Sequence, residues 1–300
     1  MKKDIRSLIT DSIKGEAQFD EPLSLHTSLK VGGQADIFVA PVDLDDLRAL
    51  LKLIAEEGAA YMVIGGGYNL LVRDGGFRGV AISLRNLRRL EELPGNRVEV
   101  EAGVTNGALV RFAEERRLTG MEFLIGIPGT VGGALSVNAG AHGETVLDRL
   151  EVLTTLRDGD MRITAREELD CGYRYLNLAP REIVVRATFR LDRGNAAEIE
   201  ARIEGFLAHR RNSQRVNHPN AGSFFKNPEG MQAWRLIDGA GLRGHRIGGA
   251  QVAEAHANFL VNRGGATARD FQELAALIKH KVKEQSGIEL EEEVRIVGVE

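Results

Sequence analysis

Residues 126–143 read Gly126-Ile127-Pro128-Gly129-Thr130-Val131-Gly132-Gly133-Ala134-Leu135-Ser136-Val137-Asn138-Ala139-Gly140-Ala141-His142-Gly143. Glycine carries an entropic cost, so folded chains concentrate it where backbone must turn sharply or touch something. A backbone with few side chains can bring its N–H groups close to a phosphate. A second such stretch, Gly65-Gly66-Gly67-Tyr68-Asn69-Leu70-Leu71, follows the short apolar run Tyr61–Ile64. Three consecutive glycines before Asn69 could form an anion nest, or simply a turn between a strand and a loop. Together the two stretches point to a phosphate-bearing cofactor, since a dinucleotide has both a pyrophosphate and a flat ring to hold.

Other phosphate and metal signatures are weak. The P-loop pattern GxxxxGK[ST] does not occur. One GxGxxG does, Gly239-Ala240-Gly241-Leu242-Arg243-Gly244, but a helical pattern precedes it and none follows, so the Rossmann context is missing. The seven histidines are scattered, no HxxxH or HExxH occurs, and Cys171 is the single cysteine. No metal site is expected. Ser223 is not in a GxSxG elbow and reads locally as a cap or turn former. Arg174, in Gly172-Tyr173-Arg174-Tyr175, reads as a surface ion-pair partner. Glu293, ending Glu289…Glu291-Glu292-Glu293, reads as part of a solvated face. None of the three stands out from its own neighbourhood.

The elements that must carry these segments alternate between short strands and helices, which predicts a mixed α+β class. Helical periodicity covers 4–14, and Asp43 opens a helix to about Glu57, with early acids favouring its N-terminus. Helices are also expected over 106–117, 196–211 and 268–286. Strands are expected at 35–40, 61–64, 79–84, 97–101, 149–157, 161–165, 182–191, near 258–262 and at 294–299, with Asp158-Gly159 as a hairpin turn. Composition shifts near 193–200, and the charged helix there marks a hinge into a second domain.

Composition excludes several classes. The chain has 300 residues, 43% hydrophobic and 27% charged, a formal net charge of −4 and 35 glycines against 7 prolines. That is a globular composition, without the basic excess that bulk nucleic-acid binding needs. No apolar stretch approaches the roughly 18 residues of a membrane span. The amphipathic N-terminus has no apolar core like that of a signal peptide. One cysteine suits a reducing compartment, so a cytoplasmic protein is expected.

Seven segments in order make the pattern specific. They are Thr27…Val31-Gly32-Gly33-Gln34-Ala35-Asp36, Gly65–Asn69, Gly126–Ala134 with Asn138–Ala141, Gly172-Tyr173-Arg174, Gly222-Ser223-Phe224-Phe225-Lys226-Asn227-Pro228, Gly244–Gly249, and Gly287–Arg295. Through them the chain resembles the UDP-N-acetylenolpyruvoylglucosamine reductase family, flavoenzymes of peptidoglycan synthesis, over about 25–299. The resemblance implies an N-terminal helix and lead-in over 1–26, an FAD-binding domain of the vanillyl-alcohol-oxidase (PCMH) type over 27–192 and a substrate domain over 195–300. It fits the shorter subgroup, without the tyrosine-bearing insertion.

By the same resemblance, NADPH reduces FAD and hydride passes to the terminal carbon of an enolpyruvyl ether, leaving charge beside a carboxylate. Arg174 and Glu293 are implied at that carboxylate and Ser223 as proton donor; a Glu there helps only if protonated or if it orients Arg174. The implied flavin contacts are Gly65, Gly66, Gly67, Tyr68, Asn69, Leu70, Gly126, Ile127, Pro128, Gly129, Thr130, Gly132, Gly133, Asn138, Ala139 and Gly140, with Arg246 and Arg295 touching flavin or substrate. Arg211 and Asn227 are candidates for the UDP diphosphate. The family usually has Ser where this chain has Tyr68, so position 68 departs from the pattern. His256 lies near these motifs without an assigned role. A monomer is expected, with small molecules as partners. The rival readings are a related flavin oxidase of the same fold and a non-catalytic nucleotide-sugar-binding protein.

Overall fold

The computed structural model describes residues 4–213 and 216–300; residues 1–3 of the N-terminal segment read above lie outside them. The chain forms two compact units, the first built from residues up to Asp20, 36–66 and 79–209, the second from 21–35, 67–78 and 210–300.

The first unit is organised by a five-stranded antiparallel sheet in the order Asp160–Ala165, Leu150–Arg157, Glu182–Arg190, Arg97–Glu101, Leu90–Leu93. Asp158 and Gly159 both have positive φ, 50° and 89°, the geometry a two-residue hairpin turn requires. Val98 and Val100 alternate inward from their strand onto a core with Leu109, Phe123, Leu135 and Phe189. A second sheet pairs Tyr61–Ile64 in parallel with Phe77–Ser83. Helix Leu44–Glu56 lies over a second core through Leu47, Leu50, Leu51 and Ile54, all fully buried, the spacing of one helical stripe. Its cap is Asp43, whose carboxylate accepts from the Asp46 N–H.

The glycine run is not a plain loop. Val131–Ser136 is a short α-helix capped by the Thr130 hydroxyl, which accepts from Gly133 N–H. Val131 N–H donates to Val104 O at 2.8 Å and Gly132 N–H to Ala102 O at 3.0 Å. Tertiary pairing thus overrides the poor helix propensity of two glycines.

The second unit holds a four-stranded antiparallel sheet in the order Asn220–Ser223, Phe259–Asn262, Ala250–Val252, Arg246–Ile247. Helix Ala268–Ser286 begins with a reciprocal Thr267/Asp270 capping box and ends at the left-handed Gly287, a strong start and stop. Phe271, Leu274, Ala275, Ile278 and Val282 form its buried stripe.

Residues 21–26 of the expected lead-in, and 27–35 and 67–78 of the expected FAD-binding domain, pack in this second unit. Leu70–Val72 runs parallel with Arg295–Val297. Asp74 accepts from the N–H groups of Ala268 and Arg269 at 2.8 and 3.0 Å. Leu71 shares the core of Phe224 and Leu260. The GxGxxG begins at the last residue of helix Ala233–Gly239, and the next helix starts only at Ala268, so it has no Rossmann context.

Candidate functional site

In the first unit, Arg174 sits in the turn of a tiny hairpin, Cys171–Gly172 against Tyr175–Leu176, at φ 62°. A left-handed non-glycine residue is uncommon and often functional. The glycine run holds this turn. The Arg174 guanidinium donates through Nη2 to the Gly140 carbonyl at 2.9 Å. Buried Asn138 donates to the Gly172 carbonyl at 2.8 Å and accepts from Leu147 N–H at 3.4 Å. Of the expected flavin contacts, Asn138 and Gly140 therefore also anchor the arginine. Buried Ala139 lies between them, its N–H on the Ala134 carbonyl.

The rest of the run is arranged as a cradle. Asn106 takes the carbonyl of Gly129 on its backbone N–H and that of Ile127 on its side chain. In a planar trans peptide the N–H points opposite to the C=O, so the Thr130 N–H is turned away from Asn106. Gly126 is half-buried and Pro128 exposed. A Cβ on Gly65 would lie 2.8 Å from Thr130 Oγ1 and 3.9 Å from Gly133 Cα. Gly65, Gly66 and Gly133 are exposed, so this part of the unit presents bare backbone, which is what close approach of a pyrophosphate needs.

In the second unit, Gly67 has φ 70°, and a Cβ there would lie 1.9 Å from the His26 carbonyl oxygen. Tyr68 is exposed, and Asn69 is left-handed at φ 60°. The Asn69 side chain donates to the Glu293 carbonyl at 3.2 Å, and its own carbonyl accepts from Arg295 N–H at 3.1 Å. Leu70 then enters the parallel pair, opposite Arg295.

Ser223 and Glu293 belong to one local construction. Ser223 ends its strand opposite Phe259. Next along the chain, the Phe224 carbonyl accepts from Glu293 N–H at 2.8 Å, Phe225 bridges Glu292, and Lys226 N–H donates to the Glu291 carbonyl at 2.9 Å. The acidic run is in part the solvated face its composition predicts, with Glu289 and Glu291 exposed, but Glu292 and Glu293 are half-buried. Lys283 pairs with Glu289 at 2.8 Å, Lys226 with Glu291, and Lys279 with Glu292 at 3.0 Å. The backbone pairing fixes the segment that carries Glu293, and the exposed ion pairs add little to it.

The remaining candidates are less built. Arg211 and Arg295 are exposed. Arg246 is exposed and donates to the Gly248 carbonyl at 2.6 Å. Asn227 accepts from Ala233 N–H at 3.0 Å, which fixes the start of helix Ala233–Gly239. Arg210, beside the expected Arg211, is half-buried. Burial lowers its pKa, and the nearby Tyr68 phenol acts the other way. His256 stacks edge-on against Phe259, ring centroids 4.7 Å apart, and its pKa is lowered by burial and then by Arg243. Among the described residues no group of three or more His, Cys, Asp or Glu could hold a metal ion, and no helix is long and apolar enough to cross a membrane.

Two residues that sequence reading missed are Arg210 and Asn258. Buried Asn258 accepts from Phe225 N–H at 2.9 Å and donates to the Phe225 carbonyl at 2.8 Å. No local pattern marks such a role.

Comparison with known proteins gives this geometry its context. Residues 35–164 match the family model described as "FAD binding domain", and residues 214–297 the one described as "UDP-N-acetylenolpyruvoylglucosamine reductase, C-terminal domain". The UDP-N-acetylenolpyruvoylglucosamine reductase of Geotalea uraniireducens (strain Rf4) is 63% identical over 300 residues, 100% of both chains. The protein of the same name from Geobacter metallireducens (strain ATCC 53774 / DSM 7210 / GS-15) is 62% identical, again over 100% of both. The crystal structure of UDP-N-acetylenolpyruvylglucosamine reductase from Thermus caldophilus superposes with a TM-score of 0.81 at 34% identity, covering 95% of this chain and 99% of that one.

Proposed function

The chain belongs to the UDP-N-acetylenolpyruvoylglucosamine reductase family, and from that premise we propose how its residues share the work. The protein is an FAD-dependent oxidoreductase of peptidoglycan synthesis. It reduces the enolpyruvyl group of UDP-N-acetylenolpyruvoylglucosamine to give UDP-N-acetylmuramate, with NADPH as reductant. The bare backbone at Gly65, Gly66 and Gly133 fits the FAD that the matched domain binds.

We assign the FAD to the backbone of Gly65–Leu70 and Gly126–Gly133, with Asn138–Gly140 also tying down Arg174. The chemistry that bound FAD supplies is relay of a hydride from NADPH to the terminal carbon of the enolpyruvyl double bond. The chain must then stabilise the charge left on the carbon beside the carboxylate, and protonate it. Arg174 takes the carboxylate, because a guanidinium presents a planar fork to two oxygens and sits ready before charge develops. Ser223 donates the proton through its hydroxyl, a short local transfer. Glu293 stands at the same carboxylate, protonated or orienting Arg174. Arg211, joined by the half-buried Arg210, takes the UDP diphosphate; Arg246 and Arg295 contact flavin or substrate. Asn227 has its side-chain oxygen engaged at 3.0 Å, so only its NH2 group is assigned to the diphosphate. We take the enzyme to act as a single chain in the cytoplasm, a reading that its single cysteine supports.

One observation carries the catalytic assignment: the Glu293 N–H on the Phe224 carbonyl at 2.8 Å, which ties the acid to the residue after Ser223. The test is an anaerobic absorbance trace of the purified protein. It should be yellow, bleach with NADPH, and recolour with the UDP-enolpyruvyl sugar but not with UDP-N-acetylglucosamine. A protein that air recolours at once and the enolpyruvyl sugar does not would be an oxidase. One that carries no flavin would be a binding protein.

A further inference from the structure

The geometry points to Asn258 as a positioning residue that sets Ser223 and Glu293 in one arrangement. This inference rests on the roles proposed for those two residues. Asn258 is 2% exposed. The register between strands Asn220–Ser223 and Phe259–Asn262 shifts between Asn220 and Ser223, so the regular ladder is interrupted where the serine is presented. Beyond Ser223 the Asn258 side chain stands in for a strand. Its amide oxygen accepts from Phe225 N–H at 2.9 Å and its NH2 donates to the Phe225 carbonyl at 2.8 Å. Its backbone carbonyl accepts from Phe224 N–H at 2.7 Å.

The Phe224 carbonyl is then left to receive the Glu293 N–H at 2.8 Å. The rings of Phe224 and Phe225 are 0% and 1% exposed, so the segment cannot slide without opening the core. The result is a rigid link with the serine at one end and the glutamate hydrogen-bonded to its middle, both referred to one buried amide. Loss of that amide leaves a buried N–H and C=O without partners. The link relaxes toward other partners, and the two side chains lose their common reference. A displacement of about 1 Å costs about 100-fold in rate.

The experiment compares holoenzyme variants Asn258→Ser and Asn258→Asp in stopped-flow reoxidation by the UDP-enolpyruvyl sugar. Asn258→Asp keeps the acceptor but turns an oxygen toward the Phe225 carbonyl. Both should reoxidise about 100-fold more slowly, with a larger solvent deuterium isotope effect as protonation becomes limiting. In a double-mutant cycle with Ser223→Ala the combined loss should fall short of the product of the two, because Asn258 acts through the serine as well as through Glu293. Multiplying losses, or wild-type rates in the Asn258 variants beside a slow Ser223→Ala, would overturn the inference alone. A Ser223→Ala protein reoxidised at the wild-type rate would overturn the proton-donor reading and this inference with it. Hydrogen exchange of the unmodified holoenzyme tests it without a variant: Phe225 N–H should be protected like the central strands, and rapid exchange there would overturn it.

Discussion

The Asn69 side chain donates to the carbonyl oxygen of Glu293 at 3.2 Å, while the Asn69 carbonyl receives the Arg295 N–H at 3.1 Å. One residue next to the triple glycine thus grips the backbone on both sides of Val294, directly after the glutamate proposed for the reaction. Strand Leu70–Val72 continues the grip as a parallel ladder with Arg295–Val297. Residues 69–72 and 293–297 are thus one mechanical piece within the second unit.

Asn69 holds φ 60°, a region asparagine tolerates and alanine resists. Asn69→Gly loses only the amide hydrogen bond, worth about 1 kcal/mol. Asn69→Ala loses the bond and adds left-handed strain of about 1 kcal/mol more. Urea unfolding of the holoenzyme should rank wild type above Asn69→Gly and Asn69→Ala last. The reverse order of the two variants would mean the backbone there is not held in the left-handed region.

Gly65→Ala and Gly67→Ala should separate binding from folding. The new methyl at position 65 meets a side-chain oxygen, Thr130 Oγ1, at 2.8 Å, and a rotamer change of Thr130 can relieve it. The protein should fold while FAD affinity, read by the recovery of flavin fluorescence on dilution, falls. At position 67 the methyl meets backbone, the His26 carbonyl oxygen, at 1.9 Å and the residue has φ 70°. That variant should lose stability whether or not FAD is added in excess. Equal stability losses in the two would contradict this division.

Long, strongly periodic elements were legible in the sequence because their signal is local. The stripe of helix Leu44–Glu56, the capped helix Ala268–Ser286 and the Asp158-Gly159 hairpin all appear where pattern and turn chemistry put them. Helix Val131–Ser136 was not legible, because backbone partners at 102–104 hold it against glycine's propensity. Nor was strand Glu16–Pro22, whose burial does not alternate. The grouping of 67–78 with the C-terminal third depends on a ladder to residues 295–297 and on Asp74 at a helix start. No local pattern encodes either. Among the site candidates, Arg174, Ser223 and Glu293 emerged only from the order of seven motifs. Asn258 did not emerge, since a buried asparagine declares its role only through what it touches.

Arg174→Lys tests recognition against charge. The guanidinium spends Nη2 on the Gly140 carbonyl at 2.9 Å, which orients its plane, and the turn itself is pinned by Asn138. Lysine keeps the charge but has neither the fork nor the plane. Reoxidation by the enolpyruvyl sugar should slow by about 100-fold or more, on the scale of losing one preorganised donor. Bleaching by NADPH should change far less. A lysine variant reoxidised at the wild-type rate would show that charge alone suffices, and would remove bidentate binding from the mechanism.

His256 makes the fold sensitive to mild acid. Burial, and then the Arg243 guanidinium, lowers its pKa below the ordinary value of 6.5. The imidazole rests edge-on against Phe259 and within 6.2 Å of the Trp234 ring, surroundings that favour the neutral form. The unfolded chain therefore binds a proton at a higher pH than the folded one. Its contribution to stability is fully present above about pH 6.5 and is lost as pH falls through the lower folded value. Urea midpoints of wild type should fall between pH 7.5 and 5, on a scale set by the ordinary histidine pKa of about 6.5. Those of His256→Phe, which keeps an aromatic ring between the same neighbours, should fall less. Arg243→Gln should lie between them, since it removes one of the two causes and leaves burial. If wild type and His256→Phe lost stability in parallel over this range, the acid sensitivity would have to come from other groups.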